Sequence, residues 1–179
     1  MTCFLRLATD RDLPALRQIE TEADALLIDA LRPDSWDEAP SGQERAAEPG
    51  FLLVAVPGTP EAPDAGAGQV LGFAHVLEWG DGAHLEQVSV SPAHARQGLG
   101  RQLVLAAARE AERRGYADIT LRTFASLPFN APFYAALGFA VTQPHDDFHR
   151  GLVATEHALG LDALGDRVQM TLPLSPAAH

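Results

Sequence analysis

Two glycines set between arginines, where a strand pattern gives way to a helix pattern, are the residues best suited to chemistry. The stretch is Arg96-Gln97-Gly98-Leu99-Gly100-Arg101. Glycines at the mouth of a helix let backbone N–H groups crowd around an anion. The first helical amides lack internal partners, and the macrodipole adds partial positive charge there. Arg96 and Arg101 flank the turn with charge suited to phosphate. The pattern points to phosphate capture at the end of a strand. It is not a dinucleotide fingerprint, because Leu103 fills the third glycine position, nor a Walker loop, because lysine is absent. A tight turn that needs no ligand is the simpler account of the same residues.

Three other groupings stand out. Glu20, Glu22, Asp24, Asp29, Asp34, Asp37 and Glu38 crowd one segment. A solvated helix face explains them most simply, and an acidic wall facing a cationic ligand is the functional alternative. His145 and His149 have i, i+4 spacing, but no third ligand is evident in sequence and Pro144 suggests a turn, so no metal is expected. Cys3 is the single cysteine, so no internal disulfide can form, and it reads as a small hydrophobe within a strand.

The chain has 179 residues, of which 46% are hydrophobic and 21% charged, values suited to one soluble domain. No apolar run reaches membrane length and no signal peptide is apparent, so a cytoplasmic protein is expected. The formal net charge of −11 argues against nucleic-acid or anionic-membrane partners and mildly favours a cationic one. All 13 basic residues are arginine, which removes any lysine nucleophile.

The elements follow from periodicity and breakers. Residues 3–8 read as a strand. Thr9 with Asp12 can box the start of a helix over 10–24, carried by Leu13, Leu16, Ile19 and Ala23, and a second helix is expected over 25–31. Proline and charge over 32–50 suggest a loop with one short helical turn. Strands are expected at 51–56 and 70–79, joined by a Pro/Gly-rich hairpin loop. The next strand, up to Pro92, puts Leu85, Gln87 and Ser89 on one face and Glu86, Val88 and Val90 on the other. A helix over 99–114 and a strand over 119–123 complete a parallel β–α–β crossover. Asn130 is placed to cap a short helix that ends at Gly138. A strand over 139–142, a helix near 147–159 and a last strand over 167–172 follow, and residues from Pro173 on read as a frayed tail. The domain is placed at 1–173.

Arg96 to Arg101, followed by Asn130-Ala131-Pro132-Phe133-Tyr134-Ala135-Ala136-Leu137-Gly138-Phe139, resembles the GNAT superfamily of N-acetyltransferases. The specific similarity covers about residues 83–141. It implies an α/β single domain built on a twisted mixed sheet of six to seven strands, with helices on both faces. The sheet would be splayed open beside the central strand, with acetyl-CoA in the opening. The pantetheine arm would pair with the backbone of Val88, Ser89 and Val90. The pyrophosphate would sit on the amides of Arg96, Gln97, Gly98, Leu99, Gly100 and Arg101. Asn130 and Phe133 would contact the cofactor. Ala95 stands where the family usually has Arg or Gln, but backbone amides carry most of an anion nest.

The resemblance also implies acetyl transfer to an amine of a small molecule or peptide, with a homodimer compatible but no interface specified. Tyr134 matches the tyrosine that protonates the departing thiolate, its alternative being an aromatic packing residue. The amine must lose a proton to attack. Glu86 is the first candidate base and His84 the second, since residues two apart share a strand face. A non-catalytic acyl-CoA sensor and a transferase for a longer acyl group are the alternatives.

Overall fold

The computed structural model describes residues 3–59, 61 and 68–174. Most of the 57–69 loop and residues 175–179 of the tail lie outside them.

Seven strands form one mixed sheet in the order β1-β2-β3-β4-β5-β7-β6. β1 is Cys3–Leu7, β2 Gly50–Pro57, β3 Gly72–Trp79 and β4 Gly82–Val90; β5 is Asp118–Phe124, β6 Ala140–Thr142 and β7 Arg167–Pro173. The helices are α1 (Leu13–Leu31), α2 (Gly42–Ala47), α3 (Leu99–Arg113), α4 (Ala131–Ala135), α5 (Asp147–Ala158) and α6 (Leu161–Leu164). All neighbouring strands are antiparallel except β4 and β5, which are parallel.

Both sheet faces are covered, as expected. Leu103, Val104, Ala107 and Ala111 of α3 pack on one face with Phe51, Val76, Leu85 and Leu121. Leu13, Leu16 and Ile19 of α1 cover the other against Leu52, Val54, Val56 and Phe73. At roughly 25 cal/mol per Å² of apolar surface removed from water, these two layers supply the main drive for folding.

Four local expectations are corrected. α1 is one helix to Leu31, where two were expected. Its buried stripe runs on through Glu20 and Asp24, which an apolar count scores as polar. The N-cap is Asp12, not Thr9; the Asp12 carboxylate accepts from Thr9 N–H, Thr9 Oγ1 and the Arg6 guanidinium. β4 does not alternate cleanly, because His75 faces Gln87 while Val76 faces Leu85, leaving Glu86 as an extra, bulged residue. β7 continues through Pro173, and Leu174 N–H still donates to Ala117, so Pro173 and Leu174 are held in the sheet and not frayed; the rest of the expected tail lies outside the described residues.

Candidate active site

β4 and β5 meet at a single residue pair, His84 with Thr120. Beyond it they diverge. Ser91 N–H bonds to Leu71 at the end of the β3–β4 ladder. Alternation then turns the N–H and C=O groups of Ser89 and Gln87 toward β3, and those of Val88 and Val90 toward the gap. The gap therefore has a free backbone edge on β4.

The glycine turn closes the end of this edge. Arg96 has φ 57° and Gly98 φ 79°, both left-handed. Only glycine takes that conformation without a Cβ penalty, and a Cβ on Gly98 would meet nothing within 4 Å. Gly98 caps α3 with no side-chain hydrogen bond, and none of the amides from Arg96 to Arg101 has an acceptor among the described residues. The turn is a free nest of donors flanked by exposed Arg96 and Arg101.

The opening leads into a cleft of about 390 Å³. Its floor is Leu85, Glu86, Gln87 and Val88 of β4 and Leu121 to Phe124 of β5; Asn130 and Tyr134 wall one side, and Glu20, Asp24 and Trp36 another. Ser89 and Val90 do not line it. The Ser89 hydroxyl is buried and accepts from Gln87 Nε2. Phe133 packs edge-on against Tyr134, at 5.0 Å between ring centres, within the α3-side core.

Asn130 stands at the N-cap of α4 but its side chain does not cap it. Instead Nδ2 donates to Thr123 Oγ1 at 2.7 Å, while Oδ1 is buried with no partner among the described residues. The Tyr134 hydroxyl also makes no hydrogen bond among the described residues. Burial pushes its pKa up to about 12, opposed by nearby Arg167, so it holds its proton.

Glu86 opens into the cleft with 39% of its side chain exposed, yet dense walls surround it. The wall density governs its charge: desolvation raises its pKa above the ordinary carboxylate value, opposed by Arg45. His84 Nε2 lies 3.7 Å from Glu86 Oε2, so the two candidate bases do converge. His84 itself is buried, and burial with His149 and Arg122 nearby depresses its pKa to about 3. It is neutral at neutral pH.

Sequence reasoning missed Arg45, Arg122 and Arg167. Arg45 is buried, donates to Glu20 at 2.5 Å and contacts His75 Nδ1 at 3.1 Å. The signal was Ser41 with Glu44, a capping box that starts α2 and points Arg45 inward. Arg122 and Arg167 both pair with Glu156 of α5. Trp36 Nε1–H donates to Asp24 at 2.9 Å, and burial raises the pKa of Asp24. Thus Glu20, Asp24 and Glu86 all feel the charge of Arg45, and Glu86 that of Arg167 as well. The acidic segment is not merely a solvated face: Glu20 and Asp24 are buried and line the cleft, where five carboxyl groups (Glu20, Asp24, Asp37, Glu38 and Glu86) stand with three arginines (Arg45, Arg122 and Arg167).

A splayed mixed sheet, a free strand edge and an amide nest thus stand together at one opening. The sequence profile of the Acetyltransferase (GNAT) family matches residues 13–139, and the chain belongs to that family. The ribosomal-protein-S18-alanine N-acetyltransferase of Escherichia coli superposes with a TM-score of 0.67 at 25% identity, over 99% of this chain and 97% of that one. The PaiA N-acetyltransferase of Thermoplasma acidophilum, solved with coenzyme A, gives 0.64 at 15% identity over 97% and 99% of the two chains. The N-acetylglutamate synthase of Neisseria gonorrhoeae, solved with coenzyme A and N-acetyl-glutamate, gives 0.65 at 15% identity over 98% of this chain and 36% of that one.

No helix among the described residues is long and apolar enough to cross a membrane.

Proposed function

We propose that this protein transfers the acetyl group of acetyl-CoA directly to a primary amine of a positively charged small molecule or peptide. The observation that carries the reading is Glu86 set in an acidic cleft at the splayed β4–β5 junction, with Tyr134 lining the same cleft.

Each residue has a task. The amides from Arg96 to Arg101 hold the pyrophosphate, and the Val88 and Val90 edge pairs with the pantetheine arm. Asn130 Oδ1, the buried orphan acceptor, meets an N–H of the same arm. Glu20 and Asp24 draw in the ammonium form of the acceptor. Glu86 removes its proton, and the freed lone pair attacks the thioester carbon. A β4 amide steadies the developing oxyanion. As the C–S bond breaks, Tyr134 gives its proton to sulfur, and the second proton of the amine nitrogen, released as the amide forms, restores the phenol. The lone Cys3 sits on β1 at the sheet edge, so the amine attacks without an acyl-enzyme.

The test is release of CoA thiol from acetyl-CoA with spermidine, an arginine-rich peptide and a neutral primary amine as acceptors. Turnover of the cationic probes, with Glu86→Gln and Tyr134→Phe both slow, supports the reading. Tight acetyl-CoA binding with no thiol from any amine would favour a sensor instead.

A further inference from the structure

Behind Glu86 lies a buried polar chain that the acetyl-transfer steps do not use. His84 Nδ1 is 2.8 Å from Thr120 Oγ1, and Thr120 Oγ1 is 3.1 Å from His149 Nε2. His149 Nδ1 is 2.7 Å from Asp146 Oδ1. His84, Thr120 and His149 are each at most 2% exposed. The chain starts at the one residue pair that joins β4 to β5 and ends at the N-cap of α5.

The polarity of this chain can be worked out from its outer end. Asp146 already accepts from His149 N–H, and its pKa is lowered by its bonds to His149, though burial opposes this. An ionised carboxylate only accepts, so His149 Nδ1 must be the donor. A neutral imidazole carries one N–H, so His149 Nε2 accepts, and the hydroxyl facing it is that of Thr120. Thr120 also lies 3.4 Å from Ala83 O, but donating there would strand His149 Nε2 in a buried site. With its proton committed to His149, Thr120 accepts from His84 Nδ1–H. The remaining ring nitrogen, His84 Nε2, then presents a lone pair to Glu86. Trp79 stacks on Phe148 at 3.8 Å and packs edge-on against both His84 and His149, which holds the rings in place.

We propose that Asp146, His149 and Thr120 are positioning residues that lock His84 as its Nδ1–H tautomer, so that Glu86 faces an acceptor and not a donor. The consequence is chemical. A donor against a carboxylate favours its charged form and weakens it as a base. An acceptor leaves the carboxylate unassisted, and from 3.7 Å a small approach lets it receive the acid O–H once Glu86 has taken the proton of the amine. The tautomer is set by the bond that the other nitrogen makes to Thr120, and that bond is fixed in turn from Asp146, three links from His84. Other charges bear on the pair. Arg122 and His149 face His84. Arg45, Glu48, Glu156 and Arg167 act on Glu86. His145 and Asp118 act on His149. None of them supplies a hydrogen bond to His84.

The inference rests on Glu86 as the base, but its test does not need turnover. Heteronuclear NMR of the full chain, correlating ring protons with ring nitrogens, reads the tautomers directly. Wild type should show Nδ1–H on both His84 and His149. Thr120→Val should move His84 to Nε2–H, because Glu86 is then its remaining partner, and Thr120→Ser should keep Nδ1–H. In the same samples Thr120→Val should move the Glu86 carboxyl titration down by roughly one pH unit, a shift that lost packing alone would not give. An Nε2–H tautomer in wild-type His84 overturns the proposal without any variant. So does a folded Thr120→Val protein with an unchanged tautomer. If the tautomers are as stated but Glu86→Gln keeps full turnover, the lock stands and the assignment of the base falls.

Discussion

Asp24 lies one turn beyond Glu20 on the buried stripe of α1, and both carboxyl groups face one guanidinium, that of Arg45. Arg45 is 6% exposed, so its removal leaves Glu20 buried without its partner. Arg45→Met should destabilise the fold by about 3–5 kcal/mol, as breaking one side of a buried pair does. Urea unfolding checks this. The paired change Arg45→Met with Glu20→Leu should recover much of the loss.

Glu86→Gln keeps the shape of the cleft and removes the base. The rate constant for acetyl transfer should fall roughly a hundredfold or more, with the affinity for acetyl-CoA unchanged. In wild type the base must be ionised to work. Burial raises its pKa, so activity should rise with pH through a limb lying above the ordinary carboxylate value of about 4.3. A limb at or below that value would contradict the burial-driven shift. Steady-state rates across pH, with the thiol followed directly, decide it.

Much of the frame was legible and the charge network was not. The glycine turn, the run of elements and the Asn130 to Phe139 segment carry local signals, since turns, caps and periodicity act within a few residues. From sequence α1 reads as two helices divided after Asp24, because its buried stripe changes from Leu13 and Leu16 to Glu20 and Asp24 as it enters the cleft. Arg45 meets Glu20 across 25 residues of sequence, and no spacing rule reports that partnership. The bulge at Glu86 was hidden for a related reason. It exists only in the register between β3 and β4, and alternation within β4 cannot show it.

Tyr134→Phe removes a proton donor and little volume. The rate should fall at least tenfold while melting temperature and acetyl-CoA affinity stay close to wild type. The phenol is pushed up to about 12, so wild type should show no loss from tyrosinate formation below pH ~10. An alkaline limb near pH ~8 that disappears in Tyr134→Phe would contradict the buried setting of the hydroxyl.

Gly98→Val tests the nest. The backbone at φ 79° resists a β-branched side chain, and the strain there is of order 1–2 kcal/mol. Relaxing it rotates the first amides of α3 away from the phosphate position. The KM for acetyl-CoA should rise about tenfold or more, and stability should fall only slightly. Among the described residues a Cβ at position 100 meets only Val90 Cγ2, at 3.8 Å, so a loss of acetyl-CoA affinity in Gly100→Ala reports the approach of the ligand itself.

The pH dependence of stability follows from groups that folding holds away from their free protonation state. His84 is depressed to about 3 and His75 to about 4, each chiefly by burial. In the unfolded chain both take up a proton near pH ~6.5. Between those limits the unfolded state binds more protons, so stability rises with pH there. The two contributions are whole above about pH 6.5 and are lost as pH falls toward the folded values. Asp12 adds a later loss. Its bonds to Arg6, Thr9 and Gly68 overcome burial and hold its carboxyl well below the usual range, so its contribution is whole above about pH 4 and fades below that. Glu20, Asp24 and Glu86, whose carboxyls burial raises, run the other way above about pH 4, so the histidine part of the urea unfolding profile is read from the difference between wild type and a histidine variant, and the Asp12 loss appears below about pH 4. His75→Gln should reduce the histidine part and leave the Asp12 loss. A His75→Gln profile that ran parallel to wild type from pH ~7 to pH ~4.5 would show that His75 is not buried neutral in solution.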